Sequence, residues 1–174
     1  MTAASVVEIL QEVVEAGFSS DHGRLAAIFI RPATDEREEL QEAVLTAAEG
    51  VRGDRWKGED PRSQITLMNA AVLDCLARGD RSRWAQAGDQ LIVDLDLSEQ
   101  NLPPGQRLLV GGTLVEVTDE PHTGCGKFAW RFGPEALAFI NGTERRHLRL
   151  RGCYVKVIAD GTVRVGDEIV KVER

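Results

Sequence analysis

Two periodicities divide this chain. Val6, Val7, Ile9, Leu10, Val13 and Val14 recur at helical spacing, and Gly17 ends the pattern. Ser5 stands where a cap would accept a backbone N–H, so a packing helix is predicted over residues 4–16. From residue 23 onward the pattern changes to short apolar or alternating runs broken by Gly, Pro and Asp. Gly23–Ile30, closed by Pro32, reads as a strand, as do Ser63–Met68, Asp89–Leu97, Arg107–Val110, Gly112–Asp119 and Arg151–Ile158. Near the end, Asp160-Gly161 sets a turn between Arg151–Ile158 and a strand over Val163–Val165, and Gly166-Asp167 sets another before a strand over Glu168–Val172. Two further helices are predicted, a brief one over Ala70–Leu76 and another over Gly133–Ile140. The second has Pro134 at its first position and Glu135 in its first turn. Thr34–Ala48 has helix-forming composition, with a Glu-rich connection as the competing reading.

Many short strands with Gly-rich turns indicate a mainly β domain, a barrel or a sandwich, with a few peripheral helices. With no internal repeat or linker, residues 1–22 are expected to form a helical extension packed on a single domain of residues 23–174. At 174 residues the chain is long enough to bury a substantial core without disulfides.

Charge and cysteine usage narrow the function classes. Lys and Arg total 21 against 28 Asp and Glu, a formal net charge of -7, which argues against a nucleic-acid or anionic-membrane surface. The basic run Glu144–Arg151 is read as a solvated helix end followed by a strand with charged outer positions, the alternative being a phosphate pocket. No apolar stretch approaches the roughly 20 residues of a membrane span. The N-terminus lacks a secretory signal, and three widely spaced cysteines do not make a disulfide framework. A reducing, cytoplasmic setting is expected.

The densest chemistry lies in His122-Thr-Gly-Cys125-Gly-Lys127-Phe128, a turn between a strand-like run and a helix. The reactive form of a thiol is the thiolate, which nearby cations and free backbone N–H groups favour. Lys127 and a protonated His122 are the expected cations, and Gly124 and Gly126 allow amides to approach. His122 has two readings, a proton acceptor for Cys125 or a turn residue bonded to backbone. Cys75 and Cys153 sit in apolar runs and read as core. His122 and Cys125 offer only half of a zinc ligand set. Phe128, Trp130 and Phe132 are expected to form an apolar wall beneath the turn, and Trp56 and Trp84 to serve packing.

Taken in order, the motifs resemble the MOSC family, named for the C-terminal domain of molybdenum cofactor sulfurases. Four features carry the resemblance across roughly residues 24–173. They are Gly50-Val-Arg-Gly-Asp54-Arg55-Trp56 with Arg62-Ser-Gln64-Ile-Thr-Leu67; the Asp89–Leu97 run leading to Leu109–Thr118; His122–Lys127; and Gly152-Cys-Tyr-Val with Val165-Gly-Asp-Glu-Ile169. The resemblance implies a β-barrel in which Cys125 carries sulfur as a persulfide, with His122 and Lys127 beside it as catalytic partners. Alternatively, the barrel is a non-catalytic module binding molybdenum cofactor (molybdopterin) with Cys125 as a molybdenum ligand, or a redox-sensing partner protein. Asp54, Arg55, Arg62, Gly124, Gly126 and Arg131 are the implied cofactor-binding positions, Asp54 and Arg55 having a loop-pinning role as the competing reading.

The pyridoxal-phosphate desulfurase domain of the fused sulfurases has no counterpart in this chain. Sulfur is therefore expected from a cysteine desulfurase or other donor in trans, and the acceptor would be a molybdoenzyme or metal centre. A ferredoxin-like domain is also missing, so a self-contained reductase is not expected. Trp56 stands where many relatives place His.

Overall fold

The computed structural model describes residues 2–173. In chain order the elements are α1 (Val6–Ala16), β1 (His22–Ile30), β2 (Glu38–Leu40), β3 (Glu42–Thr46), β4 (Gly50–Val51), β5 (Ile65–Asn69), α2 (Ala70–Leu76) and β6 (Leu91–Val93). There follow β7 (Arg107–Val110), β8 (Thr113–Val117), α3 (Gly126–Phe132), α4 (Pro134–Asn141), β9 (Cys153–Ala159), β10 (Gly161–Arg164) and β11 (Glu168–Lys171). The ring runs β1-β6-β5-β9-β8-β7-β11 and returns to β1 through His22↔Val170 and Arg24↔Glu168. Seven strands therefore close a barrel, which leaves β2 as an appendage on the C-terminal half of β1. All its pairings are antiparallel except β5–β6, whose crossover contains α2. A small second sheet, β10-β3-β4, brings residues 42–51 against residues 161–164.

β1, β5 and β6 are buried on both faces. Ile28, Leu67 and Leu91 point into the barrel, while Ala27, Phe29, Met68 and Ile92 point outward into a second core. That outer core is roofed by the helices. Leu10 of α1 is fully buried in it, worth roughly 1.5–3 kcal/mol, and Val6, Val7, Ile9, Val13 and Val14 pack against it partly buried. α1 begins with the expected cap, reinforced by reciprocation. Ser5 Oγ accepts from the Glu8 N–H at 3.2 Å, and Glu8 Oε2 accepts from the Ser5 N–H at 2.7 Å.

The region predicted as a helix over residues 34–48 instead forms β2 and β3. Ala43 and Leu45 are buried in the barrel core, and the strand pairs with β10 through Val44↔Thr162. Here tertiary pairing overrides helix-favouring composition. The Asp89–Leu97 run contains a shorter strand than expected, Leu91–Val93. Among the described residues no helix is long and apolar enough to cross a membrane.

Candidate functional site

Connections at one end of the barrel converge on a cleft of about 480 Å³. Its lining comes from the end of β1 (Arg31), the β1–β2 link (Arg37), the loop after β4 (Arg55, Trp56, Glu59), the segment before β6 (Gln86–Gln90), the cysteine turn with α3, and the start of β9. Six cationic side chains, Arg31, Arg37, Arg55, Lys127, Arg131 and Arg151, face only two carboxylates, Glu59 and Asp89. A chain of net negative charge therefore carries a concentrated positive site, which raises the local concentration of anions.

Two of those cations are already paired. Asp54 receives Arg31 Nη2 at 2.9 Å, Arg31 Nε at 3.2 Å and the Arg31 N–H at 2.7 Å. It also accepts the Trp56 N–H and Gln90 Nε2. Burial would raise the Asp54 pKa, but the hydrogen bonds and charge of Arg31 hold it below the usual carboxylate range. Asp54, expected at the cofactor, is instead a buried brace tying its loop to β1 and β6, and it does not line the cleft. Arg151 is the second paired cation. Its Nη1 donates to Asp89 Oδ2 at 2.7 Å and its Nη2 to the Ala87 carbonyl at 3.0 Å. Gly152 makes this possible. Its φ is +101°, and a Cβ there would sit 2.1 Å from the Leu67 carbonyl oxygen, so no other residue fits between Arg151 and β9.

Arg37, Arg55, Lys127 and Arg131 are not balanced in this way. Burial depresses the Arg37 pKa first, and the charges of Arg131, Arg31 and Arg55 add to it. Arg131 Nη1 is held by the Gln86 carbonyl at 2.8 Å. Three buried side-chain nitrogens lack a hydrogen-bond partner among the described residues: Arg37 Nε, Trp56 Nε1 and Arg151 Nε. All three residues line this cleft. An unsatisfied buried donor costs about 1–3 kcal/mol, a cost that falls here on three residues of the cleft wall. Trp56 thus differs from its expected packing role, whereas Trp84 is buried and donates Nε1 to Asp74.

Cys125 caps α3 at the rim of the cleft and is exposed, whereas Cys75 and Cys153 are buried. Its pKa is lowered chiefly by the Phe128 N–H; burial opposes this, and the Lys127 N–H and the charges of Arg151 and Arg131 lower it further. The charges of Arg151 and Arg131 thus join the expected cations beside the sulfur, and the Lys127 backbone acts on it as well. His122 Nε2 instead lies 3.2 Å from Asp89 Oδ1, and its ring packs on Tyr154 with centroids 4.6 Å apart. Burial raises the Asp89 pKa, but Arg151 and then His122 overcome this and hold it below the ordinary value.

The turn itself is clamped. Asn141, at the end of α4, accepts the Gly124 N–H and donates to the Gly124 carbonyl, both at 3.0 Å. A Cβ on Gly124 would lie 2.5 Å from Leu137 Cδ1. Gly124 shapes the turn, neither it nor Gly126 lines the cleft, and Arg62 lies outside it, paired with Asp60 and Glu120. Of the expected site residues, the cleft gathers Cys125, His122, Lys127, Arg55 and Arg131. It adds Arg31, Arg37, Trp56, Asp89, Arg151 and Tyr154, which the sequence reading did not assign to a site. Phe128 and Phe132 do form the apolar floor, but Trp130 is 86% exposed and is no part of it. Among the described residues no group of three or more His, Cys, Asp or Glu side chains is arranged to hold a metal ion.

A closed barrel with an exposed thiol at the mouth of an arginine-lined cleft describes the class of protein. The sequence model of the MOSC domain matches residues 41–170, and the chain belongs to that family. A search of curated proteins found no match. Among solved structures the chain is similar to the YuaD protein from Bacillus subtilis, at 16% identity and TM-score 0.60 over 88% of this chain and 97% of that one. It is also similar to YiiM from Escherichia coli, at 20% identity and TM-score 0.57 over 87% of this chain and 70% of that one. YiiM from Geobacillus stearothermophilus gives 17% identity and TM-score 0.60 over 87% and 76%. At these identities the likeness is one of fold.

Proposed function

We propose that this protein is a molybdenum-cofactor-associated sulfur handler. The arginine cleft holds the anionic cofactor, and Cys125 accepts a sulfane sulfur from a donor protein in trans. One observation carries the reading: an exposed thiol whose pKa is lowered shares a cleft with Arg37, Arg55, Lys127 and Arg131, none of which is paired with a carboxylate among the described residues. A phosphate group matches this excess of positive charge, and the cleft volume falls within the roughly 300–1,000 Å³ of small-molecule sites. Arg37, Arg55 and Arg131 would hold that phosphate, and Lys127 would attract it. When bound, the cofactor supplies a metal centre that can take sulfur.

Cys125 reacts as a nucleophile in thiol exchange. Its thiolate attacks the outer sulfur of a donor persulfide, the donor's S–S bond breaks, and the donor leaves as thiolate while the outer sulfur and its proton stay on Cys125. The step needs no external oxidant. A second reading, a cofactor-binding module with Cys125 as a metal ligand, is favoured by the number of cations, which exceeds what a bare sulfur carrier needs.

Intact mass after incubation with a cysteine desulfurase and cysteine tests sulfur carriage. One added sulfur is expected on the native protein and none on Cys125→Ser; no addition to the native protein refutes carriage. Pterin fluorescence and molybdenum co-purifying with the protein test the binding reading. Arg37→Ala should lose both.

A further inference from the structure

Trp130 is the most exposed large apolar side chain among the described residues, at 86%. It lies on α3, the helix that starts at Cys125. Phe128 and Phe132 of that helix face the outer core, leaving Gly126, Lys127 and Trp130 on the exposed side. Trp130 follows Gly126 by four positions, one helical turn, and so stands on the same flank as the approach to the thiol. It does not line the cleft, and no hydrogen bond or ring contact engages its indole among the described residues, so the ligand pocket gives it no role.

Gly126 supplies an independent observation. A Cβ at this position would meet nothing within 4 Å, and its φ is not positive. Neither packing nor backbone conformation requires glycine here, in contrast to Gly124, where a Cβ would meet Leu137. The effect is a bare strip of backbone between an exposed indole and Cys125.

We propose that Gly126, Lys127 and Trp130 form the docking surface for the protein that delivers sulfur to Cys125. The donor inserts the indole into an apolar pocket rimmed by acidic side chains. This inference rests on the reading of Cys125 as a sulfur acceptor. Transfer between two proteins requires their sulfur atoms to touch, and a side chain at residue 126 would stand between them. Tryptophan is among the residues most enriched at interface hot spots. Charge selects the acidic partner. The chain carries a net -7, so an acidic surface is repelled from most of the molecule and steered to the flank where Lys127 and Arg131 lie.

The test compares two donors on the whole protein. One is a pyridoxal-phosphate cysteine desulfurase charged with radiolabelled cysteine; the other is glutathione persulfide, which has no folded surface or apolar pocket to engage the indole. Trp130→Ala is expected to raise the apparent KM for the desulfurase about tenfold or more. Gly126→Gln should slow the same transfer, and added salt should weaken it in the native protein. Both variants should take sulfur from glutathione persulfide at the native rate. The docking surface is overturned if Trp130→Ala matches the native protein with the desulfurase, or is slowed equally with both donors. It is also overturned if the native protein is a dimer that Trp130→Ala dissociates, because a second copy then covers the indole. A native protein that takes sulfur from neither donor sinks the sulfur-acceptor reading itself. Failure of the variants alone leaves that reading standing.

Discussion

Replacing Asp89 with Asn removes the counterion of a buried guanidinium while conserving shape. Asp89 is 2% exposed and Arg151 is 9% exposed, and the two meet at 2.7 Å. Deleting one partner of such a pair typically costs about 3–5 kcal/mol, because the other charge is left uncompensated. Arg151 also lines the cleft, where water can reach it, so the lower end, about 3 kcal/mol, is expected. For a chain of this size that corresponds to roughly 6–12 °C in Tm. Urea denaturation of Asp89→Asn, Arg151→Met and the double variant measures it. The double variant should lose less than the two singles summed, with a coupling of about 1–3 kcal/mol. pH supplies a second axis. The folded-state pKa of Asp89 is depressed, so its contribution is fully present above the unfolded value of about 4 and is lost as pH falls through the folded value. The gap between native protein and Asp89→Asn should therefore hold steady above about pH 5 and shrink in acid. A gap below about 1 kcal/mol at neutral pH, or one that widens in acid, would refute the account of this pair.

Three further outcomes follow from the same geometry. Iodoacetamide at neutral pH should label Cys125 well before Cys75 and Cys153, whose thiols burial pushes up to about 11 and about 12; peptide mass spectrometry reads the order, and earlier labelling of either buried cysteine contradicts it. Inorganic phosphate should raise Tm by binding among the cations of the cleft, a stabilisation of about 2.7 kcal/mol at a hundred times its Kd, and Arg37→Ala should remove most of the effect. Gly124→Ala, forced against Leu137, should destabilise by about 1–3 kcal/mol, whereas Gly126→Ala should be neutral or slightly stabilising; comparable losses for both would contradict the contacts at these two positions.

Much of the barrel was legible because its strands carry their own punctuation. Asp160-Gly161 and Gly166-Asp167 bracket β10, and the alternation in residues 112–119 reappears as the burial pattern of β8. Residues 34–48 misled because Glu, Leu and Ala favour a helix locally, while Ala43 and Leu45 find their burial only against distant β10. The cysteine turn was legible for the same local reason as the hairpins: thiol, glycines and helix start lie within a few residues. The arginines were not. Arg31 and Arg37 come from the β1–β2 connection and Arg151 from the distant one before β9, and what distinguishes Arg151 from its solvated neighbours is a carboxylate 62 positions away. The one available signal was its place directly before Gly152 and a strand, which points a side chain inward. A run of like charges conceals a single buried member, since burial depends on the partner and not on the run.

The pairing of β1 with β11 carries a cost during synthesis. β1 is translated long before β11, so the edge that meets Glu168–Val170 stays unfilled until β11 has been made. Until then an apolar strand offers unpaired amides and carbonyls to any neighbouring nascent chain. Such long-range closure predicts slow maturation that responds to chaperone supply, and temperature-sensitive yield for variants that weaken the His22–Arg24 seam.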